Sequence, residues 1–395
     1  MKTYVSLFSS AGVGDYGFYQ AGFKLLASNE LLQRRLNVQL ANHIADKHSA
    51  YILGDITDKK VKNKIITEVN NYYKNVPGTL DLLVATPPCQ GISVANHFKT
   101  GEDIKRNSLV LESILIAEKL HPKFIVFENV KRFLTTACTD IDGKTYEIKS
   151  VINKHLSRDY NIFGQELNFK DYGANSSRPR TLVISVRKDI SINPKDLMPK
   201  QQETKTLKEV IGDLPSLSKM GEITKNDILH TFRPYREDMR NWIHPLKQGQ
   251  SAFDNKDPML RPHRIMKGQI VPNVKKNGDK YTRQYWNKVG PAIHTRNDIL
   301  ASQNTVHPTD DRVFSIRELM RLMNVPSEFK WSSESYKYLN SMSLEDKKKW
   351  LKQHAITIRQ SLGEAVPTII FKEIGDNINL RMDQLNAVNK VKENN

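Results

Sequence analysis

The chain has 395 residues, 38% hydrophobic and 26% charged, with a formal net charge of +17; it can bury a large core plus a second unit, and its cation excess favours a polyanionic partner. Its only cysteines, Cys89 and Cys138, leave neither a disulfide framework nor a four-ligand zinc site to be expected, as in a reduced, intracellular protein. No apolar run approaches the roughly 20 residues that span a bilayer, which predicts a soluble, cytoplasmic protein with no membrane partner.

Along the first 190 residues, short apolar runs alternate with helical periodicity. The runs are Tyr4 to Phe8, Leu25 to Ala27, Tyr51 to Leu53, Leu80 to Ala85 and Phe124 to Phe127. Helices are expected at Asp15 to Gln20, Leu31 to Ser49, Lys62 to Tyr73 and Asn107 to Leu120. This order predicts an α/β fold with a parallel sheet and crossover helices. Asn161 to Leu167 and Thr181 to Val186 read as two further strands around the turn-rich KDYGANSSRP, a pair of the kind that closes an otherwise parallel sheet. From about Asn193 the periodicity fades until Ser315, which predicts a second domain. Its segments RPYREDMRNWIHPLKQG, MLRPHRIMKGQ and YTRQYWNK interleave cations with aromatics, a composition suited to phosphate contact and base stacking. A basic surface with no ligand would look the same. A helix is expected at Ser315 to Met323, and a final amphipathic one from near Thr368 towards Val391.

Four places could carry chemistry. FSSAGVGDYGFYQAGF, Phe8 to Phe23, puts glycines at the first strand-to-helix turn, and Glu30 stands about 20 residues on, where a carboxylate can hold ribose hydroxyls. Gly54-Asp55-Ile56 follows the third run; Asp55 could accept from a purine amino group or simply cap a helix. In DLLVATPPCQGIS, Pro87 and Pro88 cannot continue a ladder, so the strand ends by Thr86 and leaves Cys89 on a turn. Lone cysteines are often buried filler, but filler does not need a Pro-Pro-Cys-Gln turn. Glu128 ends the next apolar run, where an unpaired carboxylate is costly. One strand-helix-strand unit separates Cys89 from Glu128, which puts both at the carboxyl edge of neighbouring parallel strands, the edge at which open α/β sheets bind ligands.

FSSAGVG, TPPCQGIS, FENV, YGANSSRPR and GEAVP, in this order and spacing, resemble the DNA (cytosine-5) methyltransferases over nearly the whole chain. The resemblance implies an S-adenosylmethionine-dependent, Rossmann-like mixed sheet with a smaller, loop-rich DNA-recognition domain. It implies a catalytic domain at 1–192, target recognition at 193–314, and a segment at 315–395 returning to the catalytic domain. HPTDDRVFSIRELMRLMNVP also resembles the family's segment at that place.

Carried over by residue, Cys89 is the nucleophile and Glu128 protonates and orients the base, while Arg178 and Arg180 hold the cytosine and its phosphate. Phe8, Gly12, Glu30, Asp55, Ile56, Pro88, Leu109, Ala365 and Val366 contact S-adenosylmethionine, with no metal. The partner implied is double-stranded DNA, with a cognate restriction endonuclease in function only, and the family's default is a monomer. Three positions depart from the pattern: Ser10 for glycine, Ser176 for glutamine and Glu364 for asparagine.

The implied chemistry is coherent. Carbon 5 of cytosine is too electron-poor to attack a sulfonium methyl until a nucleophile adds at carbon 6, and a stacked base must first be flipped out. Competing readings are methylation of cytosine in transfer RNA, a DNA-binding relative without catalysis, and a nicotinamide dehydrogenase on fold grounds. A zinc deaminase needs a cysteine where Ile92 stands.

Overall fold

In the computed structural model, residues 1–88, 107–273 and 279–393 are described. The chain divides into two compact units, one of residues 1–172, 179–202 and 366–395, the other of 173–178 and 203–365. Residues 315–365 therefore fall in the second unit and 366–395 in the first.

The first unit is built on a seven-stranded sheet of order β3-β2-β1-β4-β5-β9-β8. Its strands are β1 (Thr3–Leu7), β2 (Lys24–Glu30), β3 (Tyr51–Leu53), β4 (Leu82–Ala85), β5 (Phe124–Val130), β8 (Tyr160–Asn168) and β9 (Pro179–Arg187). β1 to β5 are mutually parallel where they pair, and β9 runs antiparallel to both β5 and β8. This is the parallel sheet with a closing antiparallel pair that the sequence pattern predicts. Its strands are apolar on both faces: β1, β4 and nearly all of β5 are buried throughout, as a sheet covered by helices on both sides requires. A small hairpin, β6 (Ala137–Thr139) with β7 (Thr145–Glu147), and the helix Ile148–Leu156 follow β5.

Two expected helices are shorter than their patterns suggest. The stretch from Leu31 yields a helix only at Gln33–Ala41, because His43 takes a left-handed φ of 51° and a 3₁₀ turn follows at His48–Ala50. Asn107 and Ser108 precede the helix Leu109–Leu120 without joining it. The helix at Lys59–Tyr73 instead begins earlier than expected, because Asp58 accepts the Lys60 amide as its N-cap.

The last helix, Thr368–Glu393, packs against the first, Asp15–Gln20. A Cβ on Gly17 would lie 2.3 Å from the Thr368 carbonyl oxygen and 2.7 Å from the Lys372 nitrogen, so only glycine permits this approach. The rings of Phe18 and Phe371 stack at 4.8 Å beside it, and the Thr368 hydroxyl donates to the Val13 carbonyl.

The second unit has little regular structure and its own core of Leu217, Phe232, Trp242, Ile243, Tyr281, Leu300, Val306 and Val313. It contains a two-stranded ribbon, β10 (His263–Met266) with β11 (Gln269–Pro272), the helix Ile316–Leu322, and the long helix Leu344–Glu364. A buried ionic cluster ties the first of these helices down. The Arg312 guanidinium donates to both oxygens of Glu318 at 2.8 Å and to Asp310, while the Nδ1 of His307 accepts the Asp310 amide.

Candidate active site

The site is assembled at the carboxyl edge of β1, β2, β4 and β5 in the first unit. After β1 the chain turns through Phe8, Ser10 and Gly12, whose φ values are 59°, 50° and 77°. Buried polar side chains hold this turn. Gln39 donates to the Ser9 hydroxyl at 2.8 Å and to the Ser10 carbonyl at 2.7 Å, and the Ser9 hydroxyl donates to the Asn29 carbonyl. Glu30 caps the arrangement. One of its oxygens accepts from the Leu31 and Leu32 amides and from Arg35, while the other accepts the Ser10 amide at 2.9 Å.

Ser10 thus stands in a backbone region that favours glycine, and its buried hydroxyl has no hydrogen-bond partner among the described residues. Ser10→Gly is expected to stabilise the protein by about 1 kcal/mol, by relieving left-handed strain in an L residue. Chemical denaturation of the two proteins would check this; equal or lower stability of the variant would show that the loop compensates the strain elsewhere.

Asp55 is exposed, and its Oδ1 accepts both the amide and the hydroxyl of Thr57. The helix cap that follows is Asp58, so Asp55 has no capping duty. Ile56 is buried in the core, and Phe8 and Leu109 are packed against the same core. Val366 lies beside Gly14, where an added Cβ would come within 3.2 Å of it. Ala365, in the second unit, ends the helix Leu344–Glu364 and donates its amide to the Ser361 carbonyl.

At β4 the strand ends at Ala85, as the prolines require. Thr86 donates its hydroxyl to the Phe8 carbonyl at 3.1 Å. The Asn129 amide, at the end of β5, donates to the Pro87 carbonyl at 2.9 Å, and its oxygen accepts the Val130 amide. Pro88 is exposed, and Cys89 lies outside the described residues. Asn129 therefore fixes the backbone two residues before the cysteine. The sequence reading quoted Asn129 within FENV and gave it no role, although a buried amide directly after a buried carboxylate is itself a signal.

Glu128 is 6% exposed, and the Arg180 guanidinium approaches its Oε1 at 3.1 Å. The register explains the meeting. Glu128 pairs with Leu182 and Val130 with Arg180 across β5 and β9, so the two charges are diagonal neighbours on one sheet face. Arg178 is placed differently. It belongs to the second unit, is buried, and donates to the carbonyls of Gly363 at 3.1 Å and Ile293 at 3.4 Å. Ser176 is likewise buried in the second unit, bridged to Gly290 and in contact with the Met323 sulfur. Glu364 is exposed at its helix end.

Among the described residues there is no cluster of side chains able to hold a metal, and no helix is long and apolar enough to cross a membrane.

Comparison with known proteins gives a consistent picture. Residues 2–379 match the model of the C-5 cytosine-specific DNA methylase family. The chain is 30% identical to Type II methyltransferase M1.HgaI of Avibacterium volantium, over 94% of this chain and 96% of that one. Its fold is similar to that of a prophage-encoded E. coli protein assigned as a DNA modification methyltransferase, with a TM-score of 0.65 at 18% identity, covering 97% and 100% of the two chains. It is also similar in fold to the S. pombe Dnmt2 methyltransferase, with a TM-score of 0.58 at 14% identity, covering 98% and 100%.

Proposed function

Since the chain belongs to the C-5 cytosine-specific DNA methylase family, we propose that this enzyme methylates carbon 5 of cytosine within a short duplex sequence, through a covalent adduct at Cys89, and thereby protects DNA from a cognate restriction endonuclease. The likeness to a Type II methyltransferase along nearly its whole length supports the restriction-modification setting. The observation that carries the mechanism is the convergence at one sheet edge of the buried Glu128–Arg180 pair and the Asn129 tether on Pro87.

The donor set fits S-adenosylmethionine. The Oε2 of Glu30 accepts one backbone amide and has capacity for a hydroxyl, the Ser10 hydroxyl has no partner among the described residues, and Asp55 is exposed after the third strand. When bound, S-adenosylmethionine supplies an electrophilic methyl group to carbon 5.

The protein's own work is to make carbon 5 a nucleophile. Cys89, as thiolate, adds to carbon 6 of a flipped cytosine and pushes the ring electrons towards carbon 5 and N3. Glu128 meets the N3 side of the ring, delivering a proton there, and Arg180 holds Glu128 in place. After methylation a base removes the carbon 5 proton, the electron pair reforms the ring double bond, and the Cys89 sulfur leaves. Arg178 joins the recognition side by bracing backbone carbonyls. Target recognition lies in the basic region after Asn193, reading flanking bases in the groove.

Incubation with labelled S-adenosylmethionine and a mixture of unmethylated duplex DNA and transfer RNA, followed by bisulfite mapping, tests the reading. Label at one short recurring DNA sequence is the expected result. Label confined to RNA would replace DNA as substrate, and label in neither would leave a binding protein.

A further inference from the structure

The ribbon β10–β11 stands apart from the rest of the second unit in chemistry. Ile265, Met266 and Ile270 are 58%, 50% and 44% exposed, and none belongs to the unit's core. Arg261, Arg264 and Lys267 alternate with them, and the stretch from Pro258 to Asn273 contains no acidic residue. Among the described residues no carboxylate pairs with Arg264 or Lys267. A row of exposed apolar side chains threaded with cations is costly in water, and it suits a polyanion whose interior is apolar.

The ribbon is also pre-shaped. Lys267 and Gly268 both take positive φ, 49° and 76°, the two-residue turn that matches the twist of a hairpin. A lone two-stranded ribbon is marginal in water, and this one is anchored at its root. His263 is buried with its ring 4.9 Å from Trp242, its Nδ1 donates to the Arg261 carbonyl, and the Asn273 amide donates to the Pro262 carbonyl. The register sorts the side chains. His263, Ile265, Ile270 and Pro272 share the face that begins on Trp242, and Arg264, Met266, Gln269 and Val271 share the other. On that second face Arg264, Met266 and Gln269 are all exposed.

We infer that the β10–β11 ribbon enters the major groove of the duplex and reads its sequence, with Arg264 and Gln269 contacting base edges and Lys267 a phosphate. The inference rests on the reading of the protein as a DNA methyltransferase and names the element that selects its target. The major groove admits a two-stranded β-ribbon, and the outward face carries the chemistry that groove distinguishes. Arginine forks onto guanine O6 and N7, glutamine onto adenine N6 and N7, and an apolar side chain such as Met266 meets a thymine methyl. The cation at the turn reaches the backbone, which positions without specifying.

The test compares wild type with Arg264→Ala, Gln269→Ala and Lys267→Ala, all exposed positions. Methylated sites would be mapped by bisulfite sequencing of a randomised duplex library, and duplex affinity measured by fluorescence anisotropy at several salt concentrations. Arg264→Ala and Gln269→Ala are expected to relax the methylated sequence at one position each and to weaken binding to the preferred duplex by roughly 5- to 150-fold. Lys267→Ala is expected to weaken binding to all duplexes alike and to reduce the salt slope by about one. Unchanged sites and affinity in all three variants would overturn the assignment. Should wild type methylate no DNA, the enzymatic reading fails separately, and the anisotropy still decides the ribbon: losses in the variants uphold it, and equal affinities overturn it.

Discussion

Cys89→Ser is expected to lower methyl transfer to duplex DNA by roughly 10³-fold or more, which corresponds to over about 4 kcal/mol of barrier at 1.36 kcal/mol per decade. A serine hydroxyl near neutral pH offers almost no alkoxide, whereas a thiolate is both populated and polarisable. Affinity for DNA should change little, because on the proposed reading the phosphate contacts come from the basic region after Asn193 and not from the nucleophile. A second readout separates loss of the nucleophile from loss of the fold. A duplex with 5-fluorocytosine at the target cannot release a proton from carbon 5, so wild type should accumulate a denaturation-resistant adduct and the variant should form none. Full methylation by the serine variant would rule out the covalent route.

Arg312→Met is expected to destabilise the second unit by about 3–5 kcal/mol, since it strands two buried carboxylates. Arg312 holds Glu318 through its two terminal nitrogens and Asp310 through its Nε, with every participant nearly excluded from solvent. Burial alone would raise the Glu318 carboxyl; the Arg312 charge and its hydrogen bonds outweigh that and hold it at about 2. Pairing Arg312→Met with Glu318→Gln should recover part of the loss, and urea unfolding of the single and double variants measures the difference.

The same cluster gives the second unit an acid sensitivity with a definite sign. Burial pushes His307 down to about 4 from an ordinary 6.5. Between those values the unfolded chain binds a proton that the folded one does not, so the contribution is whole above about pH 6.5 and fades as pH falls through 4. Glu318 follows, present above its unfolded value of 4.5 and lost as pH falls towards 2. Unfolding free energies of wild type measured between pH 7 and pH 4 should fall, and a His307→Gln variant should show a flatter dependence over that window.

The sheet was legible in the sequence because its strands are short, apolar on both faces and punctuated by breakers. Pro87 and Pro88 mark the end of β4, and the alternation up to Phe127 predicts parallel strands with crossover helices, while the strand order itself comes only from the structure. The helix Leu344–Glu364 was missed for an equally physical reason. Its buried face includes Lys347, Arg359 and Ser361 beside Trp350, Ile358 and Leu362, so hydrophobic periodicity gives almost no signal. Arg359 is fully enclosed by the carbonyls of Asn297, Thr231 and Phe314 and by the Asn297 side chain, and burial pulls its guanidinium down to about 10. Only the tertiary structure supplies those acceptors. The resemblance named Glu128 and Arg180, and the β5–β9 register that brings them together could not be read from spacing alone. The same motif offered Arg178 as an equal partner, yet one intervening proline separates a guanidinium at the sheet edge from one committed to the carbonyls of Gly363 and Ile293.

The helix crossing at Gly17 sets a timetable for biosynthesis. Val13 and Thr368 are joined by a hydrogen bond although they lie 355 positions apart. At about 5–20 residues per second, the ribosome needs roughly 20 to 70 s between exposing the Phe18 ring and delivering Phe371 to cover it. Throughout that interval the Gly17 face of the first helix waits uncovered on the nascent chain, while the whole second unit can be made and begin to fold. The helix Asp15–Gln20 thus precedes the second unit in synthesis and is completed only after it, and nascent chains arrested before residue 368 should be markedly more sensitive to protease around Phe18 than chains arrested beyond the final helix.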